Sequence, residues 1–95
     1  MFDAATAQKL GLVANELITN AFRHGASPIV VRLRRDAQTS LTVEDGGGGG
    51  VELGVGFGLE LVRSLVERGL DGRFELRAVH GNRTLAEAVF PTVPQ

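Results

Sequence analysis

The stretch EDGGGGGVELGVGFGLELV, residues 44–62, divides this chain. It holds eight of the thirteen glycines, five of them consecutive from Gly46 to Gly50. A floppy linker usually mixes glycine with serine and joins two compact units. This run has no serine, and each flank carries only about half a core. With 95 residues in all, the flanks must combine into one domain, residues 1–95, because two cores would not fit. The glycine run then reads as a loop whose missing side chains make room for a ligand.

The flanks have clear periods. Over residues 5–24, Leu10, Val13, Ala14, Leu17, Ile18 and Ala21 follow alternating steps of three and one, a single apolar stripe at helical spacing. Asp3 stands where a cap belongs, and Gly25 followed by Ser27-Pro28 is a stop. Residues 29–35 alternate, with Ile29, Val31 and Leu33 predicted to face inward and Val30, Arg32 and Arg34 outward. Residues 40–44 alternate again around Leu41 and Val43, and the short polar turn 36–39 makes the two segments an antiparallel hairpin.

Residues 58–68 predict a second amphipathic helix that buries Leu59, Val62, Leu65 and Val66, with Gly69 as its C-terminal stop. Asp71-Gly72 is a turn, and residues 73–79 and 84–90 form another hairpin around Gly81-Asn82. The order α, β, β, glycine loop, α, β, β predicts an α+β fold. It is a two-layer α/β sandwich, with a mostly antiparallel sheet and the helices on one face.

Composition removes several function classes. A formal charge of −1 argues against a general nucleic-acid binder. Lys9 is the sole lysine, and no GxxxxGK[ST] occurs. Gly54, Gly56 and Gly58 do not make GxGxxG, and the element order is not a βαβ repeat. There is no cysteine for disulfides or thiolate metal sites. No apolar run is long enough to span a membrane, and MFDAATAQKL lacks the basic start and apolar core of a leader. The expectation is a cytoplasmic domain without membrane contact.

The first helix carries an unusual polar line. Glu16, Asn20 and His24 fall at i, i+4 and i+8, flanked by Asn15 and Arg23. Taken alone, such a line is the solvated face of a helix. Asparagine is a poor helix former, however, so two in mid-helix carry a small cost. Amide and carboxylate oxygens in one line suit Mg²⁺, which takes oxygen ligands and keeps waters and phosphates in its shell. Glu16, one turn from Asn20, can orient or deprotonate an attacking group. Arg23 adds a donor fork for phosphate.

Asp45 ends the second strand directly before the glycines. A carboxylate only accepts hydrogen bonds, so it selects an amino group such as the exocyclic amine of adenine. Glycines beyond it let a flat base approach the main chain. Gly54, Gly56 and Gly58, just before the second helix, leave free amides aimed at an anion.

Together these segments resemble the GHKL ATPase superfamily of gyrase, Hsp90, histidine kinases and MutL. NELITNAFRHG, residues 15–25, looks like its N box; EDGGGG, residues 44–49, like the DxGxG of its G1 box, with Asp45, Gly47 and Gly49 in register. GFGLELVRSLV, residues 56–66, looks like the GxGL of its G2 box, with Leu59 as the leucine; HGNRTLAEAVFP, residues 80–91, looks like the closing G-T strand. Each motif is weak singly, and four in order are specific. Within the superfamily, the chain is most similar to sensor histidine kinases of the HWE/HisKA_2 kind.

The resemblance implies a Bergerat-type ATP-binding fold and a set of roles. Asn20 would be the Mg²⁺ ligand and Glu16 the polarising or general-base group. Arg23 and His24 would face the phosphates. Asp45 would read the adenine amine, with Thr84 supporting it, and Gly56 and Gly58 would border the triphosphate. Three departures stand beside it. Residues 51–55 alone separate the G1 and G2 boxes where the family carries a longer lid. The strand that often precedes the first helix is not seen. Nor is a dimerisation helix with a phosphoacceptor, since His24 lies in the N box and His80 in a turn.

The expected function is the catalytic domain of a two-component histidine kinase. It binds ATP with Mg²⁺ and donates the γ-phosphate to a histidine on a separate dimerisation domain, with a response regulator downstream. A stand-alone anti-sigma-factor-like serine kinase is the second reading. A nucleotide-binding module without transfer is the third.

Overall fold

The computed structural model describes residues 2–24, 28–46, 59–79 and 83–92. Helix α1 (Ala4–His24) starts one residue before its predicted bound. Asp3 caps it as expected: its Oδ1 accepts from the Thr6 amide at 2.7 Å, and its carbonyl accepts from the Ala7 amide at 2.9 Å. The predicted stripe is the buried one. Val13, Leu17 and Ala21 are in the core, and Leu10, Ala14 and Ile18 pack against it.

Strands β1 (Val30–Arg35) and β2 (Gln38–Asp45) form the first hairpin, and β3 (Arg73–Val79) and β4 (Arg83–Pro91) the second. The four make one antiparallel sheet in the order β1-β2-β4-β3. Burial on β2 and β4 alternates strictly along most of their length. Thr39, Leu41, Val43 and Asp45 on one strand, and Thr84, Ala86, Ala88 and Phe90 on the other, share the helix-covered face. The small Ala86 and Ala88 on this central strand leave room for the helices to come close, and both helices lie on this one face.

Two expectations need correction. Val31 and Leu33 do sit on the inward face, opposite Val43 and Leu41. They are nevertheless 45% and 54% exposed, because the helix layer does not reach the β1 edge. The second helix is also not one α-helix. α2 (Leu59–Ser64) runs into a π-helical segment (Leu65–Gly69), a wider turn that leaves Val66 fully buried.

Gly69 is therefore not a left-handed stop. The chain leaves through Leu70 at φ −115°, and the left-handed residue is Asp71 at φ 61°. A Cβ at Gly69 would lie 3.3 Å from Lys9 Cδ, a close contact with a flexible side chain. At Gly72 a Cβ would fall 2.1 Å from the Val89 carbonyl oxygen, so the turn into β3 admits no side chain.

Candidate functional site

The polar residues gather at one end of the sheet. β1 begins where β2 ends, with Val30 opposite Glu44, and α1 stops at His24 just upstream of β1. β4 begins at the same end, because Asp45 stands opposite Thr84 in the last β2–β4 rung. The 47–58 stretch leaves from this rung, and α2 resumes the chain at Leu59. One end of the molecule thus collects the α1 C-terminus, the rung and the start of α2.

Asp45 and Thr84 are each about nine-tenths buried on the helix-covered face. The Thr84 hydroxyl is fully enclosed and has no hydrogen-bond partner among the described residues. Leaving such a group unsatisfied costs about 1–3 kcal/mol. A buried carboxylate next to an orphaned hydroxyl, at the mouth of a glycine run, fits a flat ligand with adjacent donors and acceptors. Adenine presents an edge of that kind, an exocyclic amine beside a ring nitrogen.

On α1, Glu16 and Asn20 are half-buried along one flank of the apolar stripe, while Arg23 and Asn15 are exposed. Lys9 lies on the same flank, seven residues before Glu16, and its Nζ donates to the Gly69 carbonyl at 3.2 Å. That contact identifies the flank as the one turned toward the second helical segment. Glu16 and Asn20 therefore look along the seam between α1 and α2. Among the described residues no three His, Asp or Glu side chains cluster as a metal site. A magnesium ion there would take amide and carboxylate oxygens one at a time and fill its shell with phosphate and water.

Leu59 puts its side chain into the core. Gly47, Gly49, Gly54, Gly56, Gly58 and His80 lie outside the described residues, as does the side chain of His24. A cavity of about 280 Å³ sits at the opposite end, between Asp3, Thr6 and Lys9 at the start of the first helix and Gly69–Asp71, and none of the candidate nucleotide-site residues lines it. Sequence reasoning missed one pair at the site, Glu44 and Arg83, whose side chains bond across the β2–β4 end. Their signal was modest: each immediately precedes a candidate residue, Asp45 or Thr84, and they carry opposite charge.

The fold has known counterparts. Of solved structures, the chain is similar to the blue-light activated histidine kinase EL346 of Erythrobacter litoralis, at 30% identity and TM-score 0.75 over 96% of this chain and 32% of that one. It also resembles the catalytic domain of the histidine kinase ThkA, at 15% identity and TM-score 0.74 over 93% of this chain and 69% of that one. A third likeness is to the histidine kinase AdeS of Acinetobacter baumannii, at 20% identity and TM-score 0.74, covering 90% of this chain and 46% of that one. The chain thus spans between about a third and about two thirds of these longer chains. No curated protein sequence matches it. The family described as histidine kinase-, DNA gyrase B- and HSP90-like ATPase matches residues 5–94. Because that match spans nearly the whole chain, the chain belongs to that ATPase family.

Proposed function

We propose that residues 1–95 form the ATP-binding catalytic domain of a two-component histidine kinase. The domain holds ATP with Mg²⁺ and presents the γ-phosphate to a histidine on a separate dimerisation domain. The observation that carries this is the orphaned, enclosed Thr84 hydroxyl opposite the buried Asp45. In this reading Asp45 accepts from the adenine amine, and Thr84 completes the base edge. Gly47 and Gly49 let the base lie against main chain. Gly54, Gly56 and Gly58, with the Leu59 amide, border the triphosphate.

Bound Mg²⁺ would supply charge neutralisation at the phosphates. Asn20 would hold it through its side-chain oxygen. Arg23 and His24 would face the phosphate oxygens from the end of α1. Glu16, one turn before Asn20, would accept the proton of the attacking imidazole as its nitrogen bonds to the γ-phosphorus and ADP departs. The domain's own contribution is mainly position and charge.

Calorimetric or NMR titration with ATP and Mg²⁺ tests the reading. Saturable, Mg²⁺-dependent binding whose selectivity for adenine Asp45→Asn abolishes is the expected result. No such signal at millimolar nucleotide would overturn it.

A further inference from the structure

Behind the Asp45–Thr84 rung, on the uncovered face of the sheet, the side chains form a clamp. Successive strand residues face opposite sides, so Glu44 and Arg83 point away from the helices. Arg83 Nε donates to Glu44 Oε2, and Arg83 Nη2 donates to the Pro28 carbonyl at 3.1 Å. Arg32 Nη1 lies 3.9 Å from the other Glu44 oxygen. The Glu44 and Arg83 side chains are 22% and 20% exposed, making this the most enclosed ion pair among the described residues. It joins β2 and β4 to the segment that leads into β1.

The position matters because this rung is the last one. Strand ends open locally at little cost. The five residues after Asp45 are all glycines, which supply no side chain to hold the ladder shut. A charge-assisted hydrogen bond in a partly desolvated place is the strong contact available there.

Base choice depends on how well the rung is held. Adenine offers an amine where guanine offers a carbonyl oxygen, so a fixed carboxylate attracts one and repels the other. A carboxylate free to shift can instead take the guanine ring N–H and 2-amine. We propose that Arg83 and Glu44 are positioning residues for base recognition: by locking the terminal rung they fix Asp45 relative to Thr84 and set the preference for adenine over guanine nucleotides. The proposal rests on the ATP-binding reading above.

The test compares ATP and GTP binding, each with Mg²⁺, to the 95-residue chain and to Glu44→Gln, Arg83→Gln, Arg83→Lys, the swapped double variant Glu44→Arg with Arg83→Glu, and Asp45→Asn. Thermal midpoints are read alongside. The preference for ATP falls roughly tenfold in the two glutamine variants, the effect of one lost charged hydrogen bond. It falls less in Arg83→Lys, which keeps the charge, and recovers in part in the swapped variant.

If the wild type prefers ATP, Asp45→Asn loses that preference and the glutamine variants keep it within twofold, the clamp is a structural ion pair only. That result overturns the proposal while the nucleotide reading stands. A lowered melting point with an unchanged ATP-to-GTP ratio overturns it in the same way. Should Arg83→Gln not fold, the Arg83→Lys and Glu44→Gln ratios decide. A wild type without Mg²⁺-dependent nucleotide binding overturns both readings.

Discussion

Thr84 faces Asp45 across the last rung of the β2–β4 ladder, and its hydroxyl is sealed from solvent without a partner among the described residues. Thr84→Val keeps the shape and removes the hydroxyl. Because the lost group was unsatisfied, the free protein is expected to hold its stability or gain up to about 1 kcal/mol. ATP affinity should fall at the same time. A thermal melt and a nucleotide titration on the same sample check the opposite signs. A merely structural threonine would move both down.

Glu16→Gln and Asn20→Ala separate transfer from binding. With a phosphoacceptor domain supplied, Glu16→Gln should lower kcat by about 10²–10⁴ and leave the dissociation constant of ATP within twofold. Asn20→Ala should raise the Mg²⁺ concentration needed for half-maximal binding, while metal-free adenosine binding is unaffected. A Mg²⁺ titration of each variant reads the difference.

Gly72→Ala tests the turn into β3. Its new methyl would press on the Val89 carbonyl oxygen at 2.1 Å and on Phe90 Cβ at 2.7 Å, and neither can swing aside. The expected loss is about 3 kcal/mol, the upper end for overpacking, visible in a denaturant melt. Gly11→Ala is the control. It has open space around it and sits within α1, where alanine should stabilise by about 0.5–1 kcal/mol.

Leu33→Thr and Leu41→Ala should differ although the two leucines face one another across β1 and β2. Leu41 is 3% exposed and should cost about 2–5 kcal/mol on truncation. Leu33 is 54% exposed, and its replacement should stay within about 0.5 kcal/mol.

Acid should loosen the start of α1. The Asp3 carboxyl is held below its ordinary value of 3.8, first by the hydrogen bond from the Thr6 amide and then by the Thr6 side chain. A depressed carboxylate stabilises the fold fully above its unfolded value and loses that contribution as pH falls through the lower folded value. The effect should therefore appear only below about pH 4. Asp3→Asn keeps the cap and removes this part of the acid dependence. Amide exchange at Thr6 and Ala7 reports both.

Element order, the buried stripe of α1 and the α+β architecture were legible because 3.6- and 2-residue periods mark which side of each element is apolar. Period does not show how far a covering layer extends, which is why Val31 and Leu33 face inward yet remain exposed. Nor does it separate an α-turn from the π-turn at Leu65–Gly69, since both bury Val66. The pairing of Asp45 with Thr84 joins residues far apart in sequence. No local pattern reveals it, and it was reached only through resemblance to a known motif set. The Glu44–Arg83 bond depends on that same pairing and had no local signal beyond adjacency and charge.

Two carboxylates stand next to each other in sequence at the end of β2, and in the proposed site the strand must present one of them to the base. Chemically Glu44 and Asp45 are near equivalents. What distinguishes them is that Leu41 and Val43 commit the odd-numbered residues of β2 to the interior. A shift of one residue would exchange the two acids, but it would also turn every apolar side chain of the strand into water. Which of the two acids faces the helices is thus enforced by oil-filled positions one and two turns of pleat away. A change in the glycine loop would leave that facing untouched, because the strand itself sets it.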